Sequence, residues 1–352
     1  MSERTNLENF PLVVGVDLGG TQVRVAVLQG ATLLSRVNLL TGEETHPNRL
    51  IPRIYDALQR ALDEASTKPD QIIGIGISSP GPLDSHTGMV FDPPNLPGWH
   101  NVPLRDLFKE HYNMPVFIEN DANTAALGEY IFGAGRGSKS MVYMTISTGI
   151  GGGVIIDGKL MSGIIGTAAE LGHMTIDRHG PRCNCGNIGC LESIASGTAI
   201  ARRANEALAE DTTFLNWMSE RFLHATSISE QAARPLDKDD AIDESGRKNL
   251  IDARLVAEAA TKGVPLACEI IRDAAEAIGI GLTNVIHIFN PDLIILGGGV
   301  TQIGPLLMEP ALGIVQERAM KVPREAVRIV QAQLGTDVGL IGAGALIYCN
   351  RS

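Results

Sequence analysis

The sequence predicts an α/β protein made of two related domains that face one another across a cleft. Three observations carry that expectation. A short β-rich apolar run from Leu12 to Asp17 is broken by Gly19-Gly20-Thr21 and resumed by alternating Val23, Val25 and Val27, the pattern of a hairpin. The same order of strand, glycine turn and strand returns about 130 residues later, with Met141 to Ile146, the turn Ser147 to Gly153, and Val154 to Ile156, which marks an internal duplication. The chain's 352 residues also exceed one ordinary domain. A cleft between paired domains is where a small-molecule site forms.

The remaining elements follow in chain order. Leu50 to Ala65 has helical periodicity, and Ile72, Ile73, Ile75 and Ile77 make a buried strand that ends at Ser78-Ser79-Pro80-Gly81. Phe91 to Pro103 holds prolines without periodicity and reads as a loop. Val116 to Ile118 is a strand ending in Glu119-Asn120-Asp121, after which Ala122 to Phe132 is helical. Beyond the second hairpin, Ala195 to Ala209 is helical and Asp211 to Lys248 is a polar insertion with an acidic run from Asp237 to Glu244. Helical pattern resumes from Leu255 through Ile288, with Pro265 as a break. Leu293 to Leu296 is a strand running into Gly297-Gly298-Gly299, and Val338 to Tyr348 closes the chain as a helix of small apolar residues. These elements divide into a small α/β domain, 1–119, completed by the C-terminal helix 338–352. A large α/β domain, 120–337, carries the cysteine-rich segment 170–192 and the insertion 211–248.

Composition narrows the function. Hydrophobic residues at 44% and charged residues at 20% describe a soluble globular protein, and a formal net charge of -11 with 4% aromatics argues against a nucleic-acid binder. Met1 to Phe10 is not the pattern of a secretory signal, and no run of 18 apolar residues exists to span a membrane. Five cysteines, odd in number, suit a reducing cytosol, so a cytoplasmic location is expected.

Chemistry concentrates between Glu170 and Glu192. His173, Cys183, Cys185 and Cys190 are the inventory of a closed tetrahedral Zn2+ site, in a Gly- and Asn-rich loop too polar to bury three thiols as mere core. The opposing reading, small buried hydrophobes or a disulfide with a spare thiol, lacks that apolar setting. With four protein ligands there is no open position for water, so the metal is structural rather than hydrolytic. Glu170 and Glu192 then stay free to accept hydrogen bonds from a polyhydroxylated ligand.

Asp17-Leu18-Gly19-Gly20-Thr21 and Ser147-Thr148-Gly149 suit anionic phosphates, whose recognition needs unobstructed backbone N–H groups. Neither matches the Walker A or the G-x-G-x-x-G spacing, which disfavours a P-loop and a dinucleotide fold. Type I′ hairpins also want glycine; the repetition, with Thr21 and Thr148 as hydroxyl donors, favours phosphate. Asp17 would hold Mg2+ through water. Asn120 fits a helix N-cap, whereas Asp121 fits a base that accepts a substrate hydroxyl proton, kept ionised by the helix N-terminus.

Taken together, Asp17 to Thr21, Asn120-Asp121, Thr148 to Gly153, Glu170-Leu171-Gly172-His173 and Cys183-x-Cys185-x-x-x-x-Cys190-x-Glu192 resemble the ROK group of repressors and sugar kinases, most closely its bacterial glucokinases. The resemblance implies an actin-like, ribonuclease H-like ATPase fold closing around ATP and a hexose, with the 6-hydroxyl of glucose as acceptor. By similarity Asp121 is the catalytic base, Asn120, Glu170, His173 and Glu192 bind sugar hydroxyls, and Gly81 and Asn95 approach the sugar. Gly19, Gly20, Thr21, Thr148 and Gly149 match the nucleotide contacts, with Gly297, Gly298 and Gly299 near the adenosine. His173 would face zinc with one ring nitrogen and sugar with the other. A homodimer is implied at family level. Other hexoses or N-acylhexosamines (fructose, mannose, N-acetylmannosamine, N-acetylglucosamine), or sugar sensing without catalysis, are the alternatives. The insertion is longer than in compact members, and the dozen residues ahead of the first strand offer no recognition helix for DNA.

Overall fold

The computed structural model describes residues 10–42, 44–207, 217 and 251–350. The polar insertion expected at 211–248 therefore falls outside the described residues, apart from Trp217.

Two sheets repeat one plan. In the first, β1 (Leu12–Leu18) pairs antiparallel with β2 (Gln22–Gln29), which also pairs with β3 (Thr32–Leu33) and β4 (Val37–Leu40). On the other side of β1 lie β5 (Ile72–Ser79) and β8 (Val116–Asn120), both parallel to it, giving the order β3-β2-β1-β5-β8. A small hairpin of β6 (Leu83–Asp84) and β7 (Met89–Val90) stands between these two strands in the chain. The second sheet joins β9 (Met141–Ile146), β10 (Ile150–Ile156), β11 (Lys159–Leu160), β12 (Leu293–Gly297) and β13 (Arg328–Gln331) in the order β11-β10-β9-β12-β13. Its β9, β10 and β11 are antiparallel, and β12 and β13 run parallel to β9. Each sheet is thus an antiparallel meander followed by parallel strands. This duplicated architecture is the actin-like, ribonuclease H-like fold.

Helices cover the sheets because each presents a stripe of small or branched apolar residues. α1 (Pro47–Glu64) buries Leu50, Ile54, Leu58 and Leu62 against the first sheet, and α2 (Leu104–Tyr112) buries Leu104 and Phe108. α3 (Asp121–Phe132) follows β8 directly. α4 (Leu191–Ala195) and α5 (Gly197–Ala207) meet at Ser196, whose extended backbone divides the helix expected over 195–209. The Ser196 hydroxyl accepts the N–H of Ala199 at 3.1 Å, so the interruption serves as a cap. α6 (Ala253–Thr261) and α7 (Pro265–Phe289) correct another expectation: Pro265 opens α7 rather than breaking a longer helix, since proline at the first helical position sacrifices no intrahelical bond. α8 (Pro305–Arg318) packs on α7, α9 (Lys321–Ala326) follows, and α10 (Val338–Cys349) ends the fold.

The turn expected over 147–153 is also shorter than its glycine count suggested, because β10 begins at Ile150. Gly152 and Gly153 lie in the strand for a packing reason. A Cβ on Gly153 would stand 2.5 Å from Ala126 Cβ and 2.9 Å from the Ala122 carbonyl, and one on Gly152 would be 2.5 Å from Leu171. The missing side chains let α3 and the 171–173 turn lie against the strand.

α10 uses the same device on the first sheet. A Cβ on Gly76 in β5 would overlap the Ala343 carbonyl, and one on Gly342 would overlap that of Thr124 in α3. Helix and sheet approach to backbone contact. Gly76→Ala is therefore expected to destabilise the protein by about 2–3 kcal/mol through overpacking, read as a lower urea midpoint at unchanged m-value.

Candidate active site

The parallel register of β5 and β8 sets Ser79 opposite Asn120, so two strand ends deliver Gly81 and Asp121 to one edge of the sheet. Asn120 caps α3: its Oδ1 accepts the N–H of Ala122 at 2.9 Å. Its Nδ2 points toward Gly81, where a Cβ would lie 3.4 Å away. Asp121 Oδ1 accepts the same Ala122 N–H at 2.7 Å. Asp121 keeps solvent exposure, yet protein crowds around its carboxyl. That desolvation pushes its carboxyl up to about 6, with the Ala122 N–H pulling the other way and the charges of Asp17 and Glu170 adding to the rise. The helix terminus does not bring the carboxyl down to its ordinary value, yet the group stays ionised at neutral pH, as the sequence suggests. An acid about one unit below ambient pH is still ionised in roughly nine molecules of ten, so the group is a base at neutral pH and a stronger one than an ordinary aspartate.

Asp17 lies at the end of β1, and its carboxylate Oδ2 receives Arg24 Nε at 2.9 Å as well as Arg24 Nη2. The hairpin register pairs these two residues directly. Arg24 was not singled out from the sequence, although a three-residue turn at Gly19-Gly20-Thr21 fixes that pairing. Gly19 also differs from expectation: its N–H donates to the Gln22 carbonyl at 3.0 Å, which removes it as a phosphate donor. Gly20 is pressed on Asn95, with a hypothetical Cβ 2.8 Å from both the Asn95 Cβ and carbonyl. The 91–103 loop is in turn anchored by buried Leu96 and Trp99, the indole donating to the Thr45 carbonyl at 2.7 Å.

Across the cleft, Glu192 joins the cysteine-rich segment to the second glycine turn. Its Oε2 accepts the N–H of Ile150 at 2.8 Å, and a Cβ on Gly149 would stand 2.5 Å from that oxygen. A side chain at this position would push the carboxylate off the turn. The Thr148 carbonyl accepts the Thr198 hydroxyl at 2.9 Å, and that turn borders a cavity of 660 Å³ whose walls include Thr198, Ala201, Ile251, Val300, Gln302 and Ile303. Of the three glycines 297–299 at the end of β12 and beyond, Gly299 lines this cavity. Gly297 is buried against Tyr143, and Gly298, at φ 90°, would overlap the Ile146 carbonyl with any Cβ. In these two the missing side chain allows close strand packing and a left-handed turn.

His173, Cys183, Cys185 and Cys190 bring one ligand atom each within 4.8 Å of one another. Cys183 Sγ is 3.7 Å from His173 Nδ1, and Cys185 Sγ is 3.7 Å from Cys190 Sγ. Thiolates about 2.3 Å from a tetrahedral Zn2+ stand roughly 3.8 Å apart, so the cluster fits that ion. Nδ1 faces the thiols, which leaves Nε2 for the cleft. Glu170, immediately before the 171–173 turn, has its carboxyl raised by burial, lowered by His173 and raised by Glu192, which places all three side chains in one neighbourhood. Asp121 thus feels the charges of Glu170 and of Asp17 at the end of β1, and Glu170 those of His173 and Glu192.

Known proteins share this layout. The ROK family model matches residues 13–349. The glucokinase of Thermotoga maritima is 36% identical over 336 residues, 95% of this chain and 96% of that protein. A ROK family glucokinase from Streptomyces griseus, solved in complex with glucose and AMPPNP, superposes with a TM-score of 0.73 at 32% identity, covering 95% of this chain and 98% of that one. The xylose repressor of Caldicellulosiruptor bescii is 29% identical over 95% of this chain and 77% of its own length.

Proposed function

Since the chain belongs to the ROK family, its model spanning residues 13–349, we propose that it is an ATP-dependent sugar kinase that transfers the γ-phosphoryl group to the 6-hydroxyl of glucose. The observation that carries this reading is Asp121, a carboxylate raised to about 6 at the junction of β8 and α3, with Glu170 across from it and the glycine turns on either side. A protein that only sensed sugar would need no such base. The glucokinase relatives at comparable length favour catalysis over repression.

In this reading Asp121 accepts the proton of the 6-hydroxyl as its oxygen forms a bond to the γ-phosphorus and the bond to the β,γ-bridging oxygen breaks. The products are glucose 6-phosphate and ADP, and the proton leaves Asp121 for solvent. Phosphoryl transfer is chiefly a matter of positioning and charge, so a base of this strength suffices. Asn120, Glu170, His173 through Nε2, and Glu192 hold the remaining hydroxyls, with Gly81 and Asn95 bordering the ring. The amides of Gly20, Thr21 and Gly149 and the hydroxyl of Thr148 are placed for the phosphates, and the 660 Å³ cavity beside Gly299 takes the nucleoside. Mg2+, when bound with ATP, neutralises phosphate charge; Asp17, one oxygen of which Arg24 leaves unengaged, is its outer partner. Zn2+ in the His173 cluster is scaffold.

A coupled ADP-release assay with glucose, mannose, fructose, N-acetylglucosamine and N-acetylmannosamine tests the assignment. Glucose is expected to show the highest kcat/KM. A rival sugar exceeding it removes the glucose assignment, and glucose binding by calorimetry without ADP formation removes catalysis.

A further inference from the structure

We infer that Glu119 is a positioning residue for the acceptor sugar, gripping the Asn120-Asp121 tip from beneath and tying it to the turn at 84–86. The kinase reading supplies only the identity of that sugar. Glu119, next to last in β8, is 4% exposed. Its Oε1 accepts the backbone N–H of Asn120 at 2.9 Å and Nδ2 of Asn123 at 3.1 Å. The two donors flank Asp121, one before it in the chain and one after. Ser85 and His86 also lie beside this carboxylate, where both favour its ionised form.

This arrangement is expensive for mere packing. No lysine or arginine pairs with Glu119 among the described residues, and burial drives its carboxyl up. Capping of α3 is already done by Asn120, so helix stability does not require a second carboxylate there. Asn123 points the same way. Its Nδ2 goes to Glu119 while its Oδ1, also buried, finds no partner among the described residues. A buried acceptor left unsatisfied calls for a reason elsewhere, and here the amide keeps its donor on Glu119.

The grip extends beyond β8. A Cβ on Gly166 would lie 2.9 Å from Ser85 Oγ and 3.0 Å from Ser85 N, so the 161–170 segment that ends in Glu170 rests on a neighbour of the Glu119 carboxylate. Glu119 therefore connects Asn120, Asp121 and, through Ser85, the approach to Glu170. It touches no substrate itself. Its effect should fall on sugar and not on nucleotide.

Glu119→Leu and Glu119→Gln test this with steady-state kinetics and backbone hydrogen exchange on the full chain. Glu119→Leu is expected to raise the sugar KM at least about tenfold and lower kcat, with the ATP KM within about threefold, and to lose protection at the Asn120 amide. Glu119→Gln keeps an acceptor oxygen for both N–H groups and should restore the sugar KM to within about threefold of wild type. Should the leucine variant not fold, Asn123→Ala removes one of the two donors and is expected to raise the sugar KM about threefold. Unchanged sugar KM and unchanged Asn120 exchange in the variant that folds overturn the inference. So does an equal rise in both KM values with exchange increased throughout the chain, the signature of general destabilisation. If wild type prefers another hexose, the glucose assignment fails while the same comparison proceeds on that hexose. If no sugar is turned over, exchange at Asn120 decides alone.

Discussion

Asp121→Asn should lower kcat about a thousandfold while the dissociation constant for glucose stays within about threefold, since a general base contributes to the transition state and little to ground-state binding. A thousandfold corresponds to roughly 4 kcal/mol of barrier. The amide matches the carboxylate in shape and can still accept the Ala122 N–H, so the tip keeps its form. The pH dependence of the wild type makes an independent check. The carboxyl sits at about 6, and only its ionised form takes a proton, so kcat/KM should be level above pH 7 and fall about tenfold per unit below pH 6. Asp121→Asn should lose that acid limb. A variant with wild-type turnover, or one that retains the limb, would take the proton-accepting role away from this residue. Stability should move the opposite way. The folded-state carboxyl lies above its ordinary value of 3.8, so the folded protein binds this proton more tightly than the unfolded chain does. Its ionisation works against folding as pH rises through that window, and the neutral amide removes this penalty. Differential scanning calorimetry at pH 7.5 should show a midpoint at or above that of wild type.

Cys185→Ser should release the metal and weaken glucose binding at least about tenfold without altering Asp121. Structural Zn2+ sites contribute about 10–16 kcal/mol of apparent binding energy in small domains, comparable with the whole stability of a fold. Here the ligands lie between Glu170 and Glu192, so the energy is spent on the segment that presents both carboxylates. Glu192 adds a second consequence, because the same oxygen that closes on Gly149 accepts the Ile150 N–H. Loosening the cluster should therefore disturb the phosphate turn and raise the ATP KM as well, by a smaller factor. Elemental analysis of the purified protein gives the metal content, expected at one zinc per chain in wild type and none in the variant. Full sugar affinity in a zinc-free variant would leave the cluster without a part in presenting these carboxylates.

Local chemistry was the legible part. The cysteine spacing, the two hairpins and the Asn120-Asp121 junction are short-range features, and short range is what one sequence displays. Contacts between distant segments are not of that kind. Gly152 and Gly153 looked like turn residues because nothing nearby in the chain reveals that α3 and Leu171 press on them. Pro265 reads as a break inside one helical pattern, and only the end of α6 at Thr261 shows that it starts the next helix. Glu119 offered no signal beside its neighbours, because a carboxylate at a strand end is ordinarily solvated. Its burial depends on the turn at 84–86, more than thirty residues earlier. Arg24 was within reach of the hairpin register, but a single cation between valines gives no hint that its partner also faces the cleft.

α10 meets β1, β5 and α3 at backbone contact, and the ring of Tyr348 stacks edge-on against Phe10 while its hydroxyl donates to the Pro11 carbonyl at 2.9 Å. Strands made early in translation are therefore sealed by a helix made long after them. Until then the face of the first sheet that α10 covers stays open, and nascent chains of this protein carry an apolar surface whose shield has not yet been synthesised.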